Sequence, residues 1–258
     1  MTDEMTDELD VAERSRAAER TAEQTDDLGL HGVLARSVRA LADEPSLQQT
    51  LDRTVELAVA MIDGCASAGV SLVVRRGSIE TPAASDGVAA RGDQLQYELD
   101  EGPCLDAIRR AEVVATPDLS DDPRWARWGS RVVDELGVRS MLCVQLFTTD
   151  ARHGALNLYG TEPGAFSEDV YPLATTFAAV AAAALDAART EEQLSSAVQT
   201  RTIIGQAQGI MMERYGVSAA QAFSVLSRLS QDGNVKLAEI ARRVVDERTV
   251  PGLPGHRP

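Results

Sequence analysis

The sequence predicts an α+β protein: a sheet flanked by helices, then a long connecting helix, then an all-α end. Three observations predict it. Short β-rich runs bounded by turn residues fall between residues 68 and 160, without the strand–helix alternation of a parallel fold. A run from about Glu168 to Tyr215 keeps helical character with a single proline near its start and no glycine before Gly205. Two short amphipathic segments follow, each with its own start and stop signals.

The elements follow in order. Residues 1–29 hold ten acids and three arginines with little apolar content, which predicts a disordered, self-repelling tail. Periodic structure begins near Leu30. "SLQQTLDRTVELAVAMID" opens on a capping-box pair, Ser46 and Gln49, and repeats Leu47, Leu51, Val55, Ala58 and Ile62 at helical spacing. "AGVSLVVRRG", "EVVATPDL", "RSMLCVQLF" and "GALNLYG" are strand candidates, and "TTDARHG" is a hairpin connection between the last two. Shorter helices fit Pro103–Arg110 and Pro123–Leu136, each with proline at its start.

The long helix can be capped by Ser167 and would extend about 70 Å at 1.5 Å per residue, wider than a small domain. Leu173, Phe177, Val180, Ala184, Ala187, Leu194 and Val198 recur at alternating spacings of four and three, broken by Glu191. This stripe has two readings: packing on the helix's own domain, or a parallel dimer seam along residues 168–215. Ser218 and Gln221 then form a second capping-box pair, before a stripe of Ala222, Val225, Leu226 and Leu229. Asn234 can cap a third helix burying Leu237, Ile240, Ala241, Val244 and Val245, which ends before Pro251.

Bulk properties exclude several classes. The 258 residues carry a net charge of −15, unevenly spread. From Ser195 onward there are 8 basic and 5 acidic side chains, which leaves 17 and 35 for the rest. A polyanion is therefore repelled by the first part and tolerated by the second. The start is acidic, unlike a signal peptide, and no run reads as a membrane span, so a cytoplasmic location is expected. Cys65, Cys104 and Cys143 have neither disulfide-framework nor zinc spacing, and His31, His153 and His256 are scattered. No metal site and no catalytic residue is expected.

The segment "IGQAQGIMMERYGVSAAQAFSVLSRLSQDGNVKLAEIARRVV" resembles the ANTAR domain, a three-helix RNA-binding module of bacterial antitermination regulators. The matching positions are the run Ile204 to Gly209, the block Met211 to Arg214, Gly216, Ala222-Phe223, Ser230-Gln231, Asn234, Lys236-Leu237 and Ala241. Gln208 departs from the pattern, since many members carry Lys there. The middle of the chain resembles a GAF domain of the actinobacterial kind. The residues that carry this are "EGPCLDAI", "TPDLSDDPRW", "GVRSMLCVQLF" and "GALNLYGTEPGAFSEDV". The cyclic-nucleotide signature of some GAF domains is missing. The resemblances imply a GAF-like antiparallel sheet at 30–190, a three-helix ANTAR unit at 191–248 and a flexible tail at 249–258.

Together they imply a homodimeric regulator whose GAF domain takes a small-molecule ligand that the residues do not name, with no known cofactor. The ANTAR domain would bind nascent-transcript hairpin loops and so act on RNA polymerase indirectly. Arg201, Arg214, Arg228, Lys236, Arg242 and Arg243 are candidates for phosphates. Gln208, Ser230, Gln231 and Asn234 can read bases, and Tyr215 can stack on one. Gly205 and Gly209 share a helix face, which calls for close approach of either another helix or a nucleic-acid backbone. In the GAF part, Glu101, Cys104, Trp125 and Arg139 are the ligand candidates. Cys104, in the first turn of a helix, is either a thiol of lowered pKa or a small buried residue. Two other functions stay open: a DNA-binding regulator, and a thiol-redox enzyme resting on these cysteines.

Overall fold

The structure, a computed structural model, describes residues 32, 34–74, 77–109, 113–147 and 152–248, with side chains from 154 onward in the last stretch. The acidic tail 1–29, the 148–151 connection and the tail 249–258 lie outside the described residues. The chain divides into two compact units, Met1–Arg189 and Thr190–Pro258.

The first unit contains helix α1 (34–42), α2 (Leu47–Met61), β1 (Ser67–Val73), β2 (Ile79–Ala84), α3 (Gly87–Leu99), α4 (Pro103–Arg109), β3 (Val113–Thr116), α5 (Ala126–Leu136), β4 (Ser140–Phe147) and β5 (Arg152–Gly160). A 3-10 turn, Pro123–Trp125, leads into α5. The strands form one antiparallel sheet in the order β2-β1-β5-β4-β3.

Both faces of that sheet are covered. Leu142, Val144, Leu146, Leu156 and Leu158 point to a core made with α2 and the start of the long helix, through Leu51, Val55, Ala174, Phe177 and Ala181. The alternate residues Met141, Cys143, Ala155 and Tyr159 point to a second core with Leu95, Cys104, Trp125, Trp128 and Val132. A strand buried on both sides reads as a continuous apolar run, as "SMLCVQLF" does. Ser46 caps α2 by accepting from the Gln49 N–H at 3.3 Å.

Two elements were not expected, β2 and α3. β2 is an edge strand carrying Pro82, which pattern reading discounts as strand. The inner face of α3 buries Ala89, Gly92, Asp93, Leu95 and Gln96, so its polarity runs against the usual amphipathic stripe.

Helix α6 is Val170–Tyr215, 46 residues. Within the first unit it buries Ala174, Phe177, Ala178, Ala181, Ala182 and Leu185. The expected stripe is therefore split: Phe177 belongs to the unit's own core, whereas Leu194 and Val198 are each 63% exposed. Every residue from 190 to 199 is exposed. By length and composition α6 could also cross a membrane, contrary to the expectation that no run qualifies. A third of the qualifying window is buried inside the protein, and its apolarity comes largely from alanine.

The second unit packs the last turns of α6 with α7 (Ala219–Gly233) and α8 (Leu237–Glu247). Its core is Ala207, Met211, Ala222, Leu226, Ile240, Ala241 and Val244. Gly216, at φ 64°, turns the chain out of α6. Ser218 and Gln221 complete a reciprocal capping box at α7.

Candidate nucleic-acid interface and sensory core

In the C-terminal unit the two α6 glycines are the first test. A Cβ added at Gly205 or at Gly209 would meet nothing within 4 Å. Neither α7 nor α8 packs over that face, so internal packing does not account for either glycine. Exposed Arg201, Gln206 and Met212 lie along the same side of α6. Gln208 is half-buried and its Nε2 donates to the Ala219 carbonyl at 3.0 Å, tying α6 to the start of α7.

The α7–α8 turn gathers a polar set. Asn234 closes α7 instead of opening α8: it sits in the left-handed region at φ 47°, and its N–H donates to the Ser230 and Gln231 carbonyls. This corrects its expected place as the cap of the third helix; Asn tolerates that backbone region, so it serves as the α7 stop. The Ser230 hydroxyl donates to the Val235 carbonyl at 2.6 Å and fixes the turn. Lys236 stands at the N-cap of α8 with no side-chain cap, leaving first-turn N–H groups of α8 without a capping side chain. Gln231, Lys236 and Arg228 are exposed, and neither Arg228 nor Lys236 pairs with an acid among the described residues. Arg243 pairs with Glu239 at 2.9 Å on the exposed side of α8.

Arg214 and Tyr215 belong elsewhere. Arg214 donates to the Arg248 carbonyl beyond the end of α8. Tyr215 is half-buried against the bundle core, with its hydroxyl buried and unpartnered. Fifteen residues of α7 separate this end from the α7–α8 turn, about 22 Å at 1.5 Å per residue. Arg214 and Tyr215 thus lie at the opposite end of a short bundle from the α7–α8 turn residues.

In the N-terminal unit the four ligand candidates each have a structural partner. Glu101 Oε1 accepts the N–H groups of Arg127 (2.8 Å) and Trp128 (3.0 Å), capping α5 from a distance in sequence. Trp125 Nε1 donates to Asp106 Oδ2 at 2.9 Å, and the Arg124 guanidinium lies 4.1 Å over its ring. Arg139 donates to Asp118 Oδ2 at 2.9 Å, and that hydrogen bond holds the Asp118 carboxyl below its usual range. Glu101 and Trp125 both lie at the start of α5, Arg139 leads into β4, and Cys104 faces the second core.

Cys104 is fully buried. Burial, then the nearby Asp93 charge, push its thiol up to about 12 instead of lowering it. The helix start is outweighed because the sulfur sits in the core, away from water. Burial raises Cys65 to about 12 and Cys143 well above its usual range.

Around Cys104 lies a polar cluster that the sequence reading missed. Asp93, fully buried on α3, accepts at Oδ1 from Asn157 Nδ2 (2.7 Å) and from the Tyr159 hydroxyl. Its Oδ2 accepts from the hydroxyls of Thr81 (2.9 Å) and Ser71 (3.4 Å). The Tyr97 hydroxyl lies 2.5 Å from Ser71 Oγ and 2.7 Å from Thr81 Oγ1. Cys104 Sγ donates to Ser71 Oγ at 3.2 Å, and Asn157 Oδ1 is buried without a partner. The local signal was Asp93, Gln96 and Tyr97, spaced three and four apart beside Gly92.

Comparison with known proteins follows this division. The GAF domain family matches residues 44–186, and the ANTAR domain family matches residues 192–245. No curated protein matches the chain. Among solved structures, the GAF domain of a phosphoenolpyruvate-protein phosphotransferase from Coxiella burnetii is 18% identical, with a TM-score of 0.51 over 64% of this chain and 98% of that one. A free methionine-R-sulfoxide reductase from Neisseria meningitidis, in complex with its substrate, is 18% identical, with a TM-score of 0.51 over 63% and 91%. The phytochrome photosensory core module of Stigmatella aurantiaca is 12% identical, with a TM-score of 0.53 over 79% and 45%. At these identities the likeness is one of fold.

Proposed function

The chain belongs to the GAF family and carries a C-terminal ANTAR domain, the architecture of an RNA-binding antitermination regulator with a sensing domain, and on that premise we propose that it is a cytoplasmic homodimer that binds paired hairpin loops of a nascent transcript under control of its GAF unit. The observation that carries the RNA surface is the open glycine face of α6. An exposed glycine in a helix interior costs about 1 kcal/mol against alanine. No packing inside the unit offsets that cost at Gly205 or Gly209. A close-approaching partner from outside does.

In this reading Arg201, Gln208, Gly205 and Gly209 form one RNA-facing side. Arg228, Ser230, Gln231, Asn234 and Lys236 form a second patch at the α7–α8 turn, where the α8 N-terminus favours a phosphate, and Arg243 extends it along α8. Arg214 and Tyr215 act by holding α6 to α8. The dimer rests on the exposed stretch 190–199, where a helix with bare Leu194 and Val198 gains by covering them with a second copy. Two modules on one dimer raise the effective concentration of each at its loop. RNA polymerase is affected indirectly, through the competing terminator.

The deciding experiment is a gel shift of the full chain at fixed salt against a two-hairpin RNA, the same RNA with one loop deleted, and duplex DNA. Binding that prefers the two-loop RNA is expected. Preference for the duplex would favour a DNA-binding regulator instead. A redox enzyme would need an accessible thiolate, and burial holds all three thiols up and away from water.

A further inference from the structure

Asp93 is a carboxylate in the dry interior with no cation beside it. Every group that touches it is neutral at pH 7: Ser71 from β1, Thr81 from β2, and Asn157 and Tyr159 from β5. The ionisable groups facing the cluster are Tyr97 on α3 itself, Cys104 on α4, Cys143 on β4 and Tyr159 on β5. α5 contributes the Trp128 indole, which donates to the Gly92 carbonyl. Charged residues of α3 and α4 are engaged at the surface: Arg91 with Glu98 and Glu135, and Arg109 with Asp100.

The cluster is also built to accept a proton. Ser71, Thr81 and Tyr97 form a chain of hydroxyls in which Tyr97 can donate or accept toward either neighbour. A proton on Asp93 Oδ2 can be donated to Thr81 Oγ1, with Thr81 turning to Tyr97 and Tyr97 to Ser71. The heavy atoms stay where they are. Ionised Asp93 has no such economy: its charge stays buried, and the remaining way to solvate it is to lift α3 from the sheet.

We propose that α3 is a proton-operated clamp, held on the sheet by neutral Asp93 and released toward water when Asp93 is ionised. The signal it reads is acidification. This deepens the sensory reading of the GAF unit and rests on it for its purpose. Its test reads α3 directly, so a failure would leave RNA binding untouched.

Burial outweighs the four donors and pushes Asp93 up from the usual 3.8 to about 6. The seated form thus binds the proton more tightly than an opened, hydrated Asp93. Seating is favoured as pH falls from about 6 toward about 4, by roughly tenfold per pH unit and about a hundredfold in all. Above that window both forms are ionised and the dependence vanishes.

The experiment is amide hydrogen exchange on the full chain between pH 5.0 and 7.5, corrected for intrinsic exchange, with α2 as internal reference. The protection of α3 amides should fall about tenfold relative to α2 between pH 5 and 6.5, then level off. Asp93→Asn, which mimics the neutral side chain, should hold α3 protected throughout. Should that variant not fold, Tyr159→Phe removes a donor that favours the ionised carboxylate at Oδ1, leaves the Oδ2–Thr81 bond of the neutral form in place, and must move the break to higher pH. An α3 that tracks α2 at every pH, a break that survives Asp93→Asn, or one unmoved by Tyr159→Phe would overturn the clamp.

Discussion

The indole N–H of Trp128 donates to the carbonyl of Gly92 at 3.0 Å, a bond from one helix to the middle of another. Trp128 is fully buried and fills the second core beside Leu95 and Cys104. Trp128→Phe keeps most of the apolar volume and leaves that carbonyl with its partner inside α3 alone. The lost hydrogen bond should lower unfolding free energy by about 0.5–1.5 kcal/mol, read by denaturant titration.

Gly92 matters from its other side as well. A Cβ there would sit 2.9 Å from Tyr159 Cε1, against a ring that is 1% exposed. The ring has no room to swing away. Gly92→Ala should therefore destabilise by about 1–3 kcal/mol, despite alanine's better helix propensity. Thermal unfolding of the two proteins side by side decides it.

Asp118, paired with Arg139, titrates in the opposite sense to Asp93. Hydrogen bonding to Arg139 lowers the Asp118 carboxyl, so the folded state holds fewer protons there than the unfolded one. The pair's stabilisation is present above the usual 3.8 and is lost as pH falls through the lowered value. Arg139→Ala should remove it at neutral pH and flatten this acid limb; unfolding midpoints at pH 3 and pH 7 give the comparison.

Gln208→Lys puts a cation beside the open glycine face. If that face meets phosphates, RNA affinity should rise and the plot of log K against log salt should steepen by about 0.7 for one added single-strand contact. An unchanged slope would place the RNA elsewhere on the unit. The side chain loses its hydrogen bond to Ala219, which should cost stability by about 1 kcal/mol at most.

Leu194→Asp with Val198→Asp puts like charges where a second helix would lie. Both sites are solvent-exposed in the single chain, so folding of either unit should be unaffected. Sedimentation at micromolar protein should show the dimer lost, with affinity for the two-loop RNA falling toward that for a single loop.

What the sequence disclosed follows the physics of each element. α2 and α7 announced themselves through caps and apolar spacing, and α8 through its spacing alone, because each buries one stripe and shows the other to water. β4 and β5 were legible as dense apolar runs, although not which residue faced which core. α3 was hidden because its buried face holds Gly92, Asp93 and Gln96, and the partners that make this tolerable come from positions 71, 81, 157 and 159. No local reading assembles a site from such distances. At the C-terminal end, residue chemistry picked suitable types. It could not separate Arg214, turned toward Arg248, from Lys236, standing free at a helix start.

With all three native thiols packed out of reach, the wild-type chain is already a quiet background for thiol labelling. One cysteine introduced on the bare stretch of α6, at Glu191 for instance, would be the sole fast-reacting thiol among the described residues. A spin label or fluorophore placed there could report distance between copies in unreduced, otherwise unaltered protein.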